Sequence, residues 1–189
     1  MRFLLIAALG AVVAACSDPS VVTTGEAPPR PSTTVSATPT GRVDPNLVDA
    51  HAYYVTSDDV KGYYFATPSG KWTCAIIPHS KVGCQNAGAK TLTLPGAPDT
   101  VQTVDGDTVA PNAIAVGDTG EPGFTWVDKP GFAPPSGAPL VLDFTKTLAA
   151  AGFRCDVQQA GVSCENESTQ KGFTFSSDSY VPQYTPVPG

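Results

Sequence analysis

The chain is short of nearly everything that marks an enzyme or a nucleic-acid binder by its sequence. Charged residues make up only 15% of its 189 positions, and no run of Lys or Arg stands anywhere along it. Without clustered cations there is nothing to neutralise a phosphate backbone, so nucleic acid is not an expected partner. Histidine occurs twice, as His51 and His79, and methionine once. A nucleophile needs a base within reach, and two histidines at a turn and a short helical segment offer little to one. The Gly-x-Ser-x-Gly elbow, the His-Glu-x-x-His zinc helix and the glycine-rich phosphate loop are all missing. No apolar run approaches the ~20 residues that a membrane-spanning helix requires. No catalytic residue and no cofactor is therefore assigned.

Glycine and proline, by contrast, fill 37 positions, 18 and 19 respectively. Each proline removes a backbone donor and each glycine weakens a helix interior, which favours short strands and turns. The formal charge is −6. Such a surface is not drawn to anionic lipid by electrostatics, so attachment to a membrane would need another device.

The N-terminus offers one. Met1-Arg2 is followed by an apolar run from Phe3 to Val13, closed by Val13-Ala14-Ala15-Cys16. The run is too short to span a bilayer and reads as a secretory leader, residues 1–15. The order Val-Ala-Ala-Cys resembles the lipobox of bacterial lipoproteins, in which the thiol receives a diacylglyceryl group before cleavage. Two acyl chains give a stable anchor where one gives only marginal binding. A plain secreted protein with an unpaired cysteine near its start is the alternative. Loss of Arg2 with the leader would leave 10 basic and 17 acidic side chains, a mature charge of −7.

Cysteine number agrees with this. The five are Cys16, Cys74, Cys84, Cys155 and Cys164. An odd count in an exported chain calls for an account of the odd one. Giving Cys16 to lipid leaves an even set for an oxidising compartment.

Residues 16–44 are rich in Pro, Ser, Thr, Ala, Val and Gly and hold no aromatic side chain. Such a stretch buries too little surface to offset its ordering entropy and is expected to be a disordered tether. Its Ser, Thr and Pro content would suit O-glycosylation or a bare spacer. Order is expected over 45–181, followed by a Pro-rich extended tail over 182–189. Asp44-Pro45 makes a reasonable helix start, with Leu47, Val48, Tyr54 and Val55 on one face of a short helix. Thereafter turn residues recur every 8–12 positions. Between them lie the β-type segments Tyr63–Phe65, Thr91–Leu94, Ala113–Val116, Phe124–Val127, Leu140–Phe144 and Phe173–Phe175. Lys146–Gly152 could form one helical turn ended by glycine.

The most informative pattern is an internal echo. Trp72-Thr73-Cys74-Ala75-Ile76 with Val82-Gly83-Cys84-Gln85-Asn86 is answered by Phe153-Arg154-Cys155-Asp156-Val157 with Val162-Ser163-Cys164-Glu165-Asn166. In a strand alternate side chains share a face, which puts both cysteine pairs on apolar faces. The intervening residues suit turns at Pro78-His79-Ser80 and around Gln159-Ala160-Gly161. Directly opposed strand positions lie within disulfide reach, so Cys74–Cys84 and Cys155–Cys164 are the expected bridges. A linkage between the two units is the rival. A zinc site is disfavoured because no Cys-x-x-Cys clip exists. The fold expected is mainly β: a small disulfide-stapled antiparallel sheet or sandwich, or an irregular barrel, built around two similar Cys hairpins with at most one short helix.

Tyr64-Phe65-Ala66-Thr67-Pro68-Ser69-Gly70-Lys71-Trp72-Thr73-Cys74, Gly83-Cys84, Gly152-Phe153-Arg154-Cys155 and Gly161-Val162-Ser163-Cys164 together resemble a family of actinobacterial envelope lipoproteins. That family carries a Pro-Ser-Gly-x-Trp/Ile-x-Cys motif and a second cysteine pair before a Gly-Phe-x-Phe-Ser…Tyr segment, here Gly172 to Tyr180. The resemblance covers about half the mature chain. It implies a location, lipid-anchored at the outer face of the cytoplasmic membrane, and a disulfide pattern. It implies no activity and no catalytic or ligand residue.

Remaining chemistry would have to come from carboxylates, since glycosidases need only two. The candidates are Asp58, Asp59, Asp105, Asp107, Asp118, Glu121, Asp143, Glu165 and Glu167. Most flank Gly, Ser or Pro and read as turn residues; Asp105-Gly106-Asp107 hints at calcium but lacks a full ligand loop. The aromatic cluster Tyr53, Tyr54, Tyr63, Tyr64 and Phe65, and the pair Phe124 and Trp126, could be a platform for carbohydrate or peptide, or simply core. Three functions follow as expectations. The first is a non-enzymatic binding or accessory domain facing an envelope protein or cell-wall glycan. The others are a cell-wall hydrolase and a purely structural part of an envelope complex.

Overall fold

The computed structural model describes residues 44–57 and 60–186. The leader, Cys16, the tether up to residue 43, Asp58, Asp59 and the last three residues lie outside that set. The described residues belong to one compact unit.

Strands dominate because the alternating segments find partners. In chain order they are β1 (Tyr54–Thr56), β2 (Lys61–Ala66), β3 (Trp72–Ile77), β4 (Lys81–Asn86), β5 (Val101–Gln102), β6 (Thr108–Val109) and β7 (Ala113–Gly117). They continue as β8 (Gly123–Thr125), β9 (Leu140–Val141), β10 (Lys146–Ala150), β11 (Phe153–Gln158), β12 (Gly161–Asn166), β13 (Lys171–Phe175) and β14 (Tyr180–Val181). The first sheet runs β1-β2-β3-β4-β7-β8, with β9 parallel to β2, and the second runs β10-β11-β12-β13-β14. All other neighbours within these sheets are antiparallel. A small β5–β6 hairpin stands apart. Neither sheet closes on itself, so the architecture is an open sandwich and the barrel alternative is set aside.

Both expected disulfides are present and both are local, Cys74–Cys84 and Cys155–Cys164, with Cα atoms 4.0 and 4.1 Å apart. Register explains their setting. Across the first sheet one row reads Phe65, Cys74, Cys84, Ile114. Across the second it reads Leu148, Cys155, Cys164, Phe173. All eight side chains are 0% exposed and belong to one core between the sheets. Trp72 meets Phe175 edge to face at 4.7 Å between ring centres, joining the two layers.

The echo in the sequence is thus a repeat in space: β2-β3-β4-β7 and β10-β11-β12-β13 are two four-stranded meanders of like order. It extends to the turn after each cysteine hairpin. Asn86 Oδ1 accepts from the backbone N–H groups of Gly88 and Ala89, and Asn166 Oδ1 from those of Ser168 and Thr169. The halves differ in the next connection. The second returns to β13 through residues 167–170, whereas the first reaches β7 only after residues 87–112, which carry the β5–β6 hairpin.

Three segments depart from expectation. Residues 45–55 do not form a helix. Leu47 makes a parallel bridge with Thr147, and the helical part is confined to Ala50–Tyr53, a 3-10 segment capped by Asp49. Pairing to the edge of β10 satisfies the backbone better there than an isolated short helix would. Lys146–Ala150 is a strand, because its successive residues pair with β11, Thr147 with Asp156 and Leu148 with Cys155 among them. The turn that follows uses Ala151 and Gly152, both at positive φ (50° and 81°), as a two-residue hairpin of this kind requires. Thr91–Leu94 is not a strand. Leu92 and Leu94 are buried as anchors of a loop, with Leu92 N–H donating to Pro111 O at 2.8 Å.

Candidate functional site

Each sheet has an outer face, and in each case a segment from outside the meander covers it. On the second sheet alternation turns Arg154 and Asp156 of β11 and Ser163 and Glu165 of β12 outward, away from the core residues Cys155 and Cys164. Asp156 is nonetheless 1% exposed. Thr147 donates to its Oδ1 at 2.5 Å, and the Tyr184 hydroxyl donates to its Oδ2. Burial, and then the bond to Asp156, hold the Tyr184 phenol far above its ordinary pKa. The chain beyond β14 is laid over this face by further bonds. Thr174 Oγ1 donates to Gln183 O at 2.7 Å, and Gln158 Nε2 to Thr185 O at 3.1 Å. Arg154 faces Glu167 at 3.5 Å, while burial pushes the Glu165 carboxyl up.

The outer face of the first sheet is apolar and is roofed by a strap, residues 126–133. Tyr64, Ala75, Ala113, Val127 and Phe132 form a second core there, distinct from the one between the sheets. Two side-chain amides pin the strap. Asn112 Nδ2 donates to Val127 O and Asn112 Oδ1 accepts from Val127 N–H, both at 2.8 Å. Gln85 Oε1 accepts from Phe132 N–H at 2.8 Å, and Gln85 Nε2 donates to Pro130 O at 3.5 Å. Between these clamps the Lys129–Pro130 peptide is cis. Gly131 takes φ +63°, and a Cβ there would meet Gln85 Oε1 at 2.3 Å, so only glycine fits.

Beneath and beside the strap lie two hollows that share Trp126. One, about 530 Å³, has a mixed polar and apolar lining that includes residues 86–90, Asn112 and Lys129. The other, about 350 Å³, is walled by Tyr64, Ile77, Val127 and Phe132, with Lys61 and Lys81 also on its lining. That size falls in the usual range for small-molecule sites. The Tyr64 hydroxyl is buried with no hydrogen-bond partner. Burial raises its pKa, so it remains protonated and able to donate at neutral pH. Val104, on the β5–β6 turn, is 99% exposed and also lines this second hollow, an apolar side chain left in water at a cavity edge.

The residues singled out from sequence are distributed as follows. The four described cysteines are structural and wholly buried. His51 lies in the 3-10 turn and His79 at the β3–β4 tip with φ 55°; both are exposed and both border one hollow with Tyr54 and Tyr63. Asp105-Gly106-Asp107 is the β5–β6 turn, tied by Thr103 Oγ1 accepting from Asp107 N–H at 3.1 Å. Glu121 pairs with Lys171. Asp118 follows β7 with its N–H donating to Ser80 O, and Asp143 is exposed. Glu165 and Glu167 flank Arg154. Asp58 and Asp59 lie outside the described residues. Among the described residues no three His, Cys, Asp or Glu side chains are gathered as metal ligands. Sequence reasoning missed the strap; its one signal is the run Asp128-Lys129-Pro130-Gly131-Phe132, turn residues ending in an aromatic with no strand to join.

Compared with protein-family models, with curated proteins and with solved structures, the chain matches none.

Proposed function

We propose that the chain is a lipoprotein of the cell envelope. In this reading residues 1–15 are removed, Cys16 carries a diacylglyceryl group at the outer face of the cytoplasmic membrane, and the β sandwich is a non-enzymatic binding module. The observation that carries it is sulfur stoichiometry: four of five cysteines are consumed in two buried local disulfides, and the fifth stands in Val13-Ala14-Ala15-Cys16. Disulfides suit an oxidising compartment, and two acyl chains would supply the membrane affinity that a net-acidic surface lacks. The binding part is supported by the hollow under the strap, a concave site on a scaffold held rigid by amide clamps.

Mass spectrometry of the N-terminal peptide from the protein made in its own cell tests the anchor. The expected product begins at an acylated Cys16, and Cys16→Ser should move the protein out of the membrane fraction. A mature protein that starts elsewhere, or a Cys16→Ser variant that still sediments with membranes, would refute it.

A further inference from the structure

A row of side chains crosses the inner face of the first sheet and leaves the core at its edge. Register sets Val116, Val82, Ile76, Tyr63 and Tyr54 opposite one another in turn. The first three are at most 1% exposed, Tyr63 is half-buried and Tyr54 is 39% exposed. The row therefore ends in two aromatic rings that water can reach, 5.1 Å apart between centres and tilted by 54°. They border a hollow of about 450 Å³, completed by His51 of the 3-10 turn, Pro78 and His79 of the β3–β4 tip and Ala151 of the β10–β11 turn. Every residue on its lining is exposed or half-buried, so the surface is open to a ligand. The volume lies in the ordinary range of small-molecule sites, ~300–1,000 Å³.

Its polar groups are uncommitted. Among the described residues the Tyr54 and Tyr63 hydroxyls and the His51 and His79 imidazoles have no hydrogen-bond or ion-pair partner. No carboxylate or ammonium group of the described residues lines the hollow. A phenol both donates and accepts a hydrogen bond, as does a neutral imidazole. The negative face of an aromatic ring draws polarised C–H groups. A sugar ring answers all three features, with hydroxyls that donate and accept, a flat C–H face and no charge. His79 stands at φ 55°, in the left-handed region that glycine enters at lower cost. The tip thus keeps a histidine beside the hollow where glycine would make the easier turn.

We propose that this hollow binds an uncharged saccharide, one ring resting on Tyr54 and Tyr63 and its hydroxyls bonded by those phenols and by His51 and His79. The proposal rests on the reading of the domain as a binding module and gives it a ligand class.

The chain holds only two histidines, and both border this hollow. Their imidazole Cε1–H signals in an NMR spectrum therefore report on it alone. The purified full-length chain is titrated at constant pH with maltose, cellobiose, mannobiose and N,N′-diacetylchitobiose, and separately with Zn²⁺. At least one disaccharide should shift both signals saturably. Tyr54→Ala should weaken that disaccharide about tenfold through loss of a stacking face. His79→Gly, read through His51, should weaken it about fivefold, the usual worth of one hydrogen bond. The same variant should keep or raise the melting temperature, because glycine relieves the turn. No saturable shift with any of the four sugars overturns the assignment. So does a response to Zn²⁺ alone, which would make the histidines a metal site, and so does undiminished binding in both variants. Should Tyr54→Ala disturb the fold, His79→Gly decides alone. Neither Cys16 nor the strap takes part in the titration. Its failure would remove this site and leave the anchored module standing, and a failed anchor would leave a saturable shift standing.

Discussion

Phe132 rests on Gly83: a Cβ built at position 83 would lie 2.3 Å from Cζ of the ring. The absence of a side chain at the centre of β4 is what lets the strap seat itself on the sheet. Gly83→Ala should therefore displace Phe132 and lift the strap, and it should also strain the β4–β7 pairing, because the added Cβ would lie 2.5 Å from Ile114 O. A loss of about 1–3 kcal/mol is expected for overpacking of this kind. Urea denaturation measures it, and a red shift of Trp126 emission would show that the strap has moved.

Clamping by Asn112 gives a second prediction. Asn112→Asp keeps the acceptor for Val127 N–H but removes the donor to Val127 O, leaving that carbonyl short of a partner in a half-buried place. The expected cost is about 1–2 kcal/mol, with faster hydrogen exchange confined to the strap. Uniformly faster exchange across β2, β3 and β4 would mean that the strap and sheet unfold as one.

Each disulfide closes a loop of about ten residues, the sequence separations being 10 and 9. In the chain-entropy account, loops of that length contribute about 2.7 kcal/mol apiece. Cys74→Ala with Cys84→Ala, and Cys155→Ala with Cys164→Ala, should each lower unfolding stability by about that amount. Denaturation curves of the two double variants should nearly coincide. A much larger loss in one would show that the two halves do not carry equal roles in the core.

Tyr184 supplies the pH prediction. Its pKa is raised, first by burial and then by the hydrogen bond to Asp156. A raised value means that its contribution is complete below the ordinary phenol pKa of about 10 and is lost as pH rises through the folded-state value. Tyr184→Phe should therefore cost about 1 kcal/mol near pH 7, and the gap should close at strongly alkaline pH. Tyr53, Tyr64 and Tyr180 are raised too and remain in the variant, so the difference between the two proteins isolates Tyr184. Limited proteolysis should cut the C-terminal segment of Tyr184→Phe sooner than that of the parent chain.

What the sequence reveals about this fold follows from where the determining contacts lie. The cysteine hairpins are legible because alternation and a short turn fix register locally: Ile77 opposes Lys81 and Gln158 opposes Gly161, leaving the expected tips. Lys146–Gly152 misleads because its three successive alanines favour helix in isolation, and only partners on β11 decide for strand over Lys146–Ala150. Tyr64 is undecidable from alternation, which sets it on the face opposite Phe65. It is buried all the same, because Phe132, 68 positions later, comes back to cover it. The strap depends on Gln85 reaching Phe132 across a separation of 47 residues, and no local pattern encodes such a bond. The candidate site is hidden for the same reason: its walls are contributed by β2, β3 and the strap together.

Neither sulfur staple crosses from one layer to the other; Cys74–Cys84 ties β3 to β4, and Cys155–Cys164 ties β11 to β12. The seam between the layers is held by noncovalent contacts, Trp72 on Phe175 and the Asn166 amide on the carbonyls of Gly117 and Asp118 among them. The staples thus fix register within each layer and place no covalent tie across the seam. A fully oxidised molecule can still part along this seam like a hinged book, with each page kept in register by its own clasp.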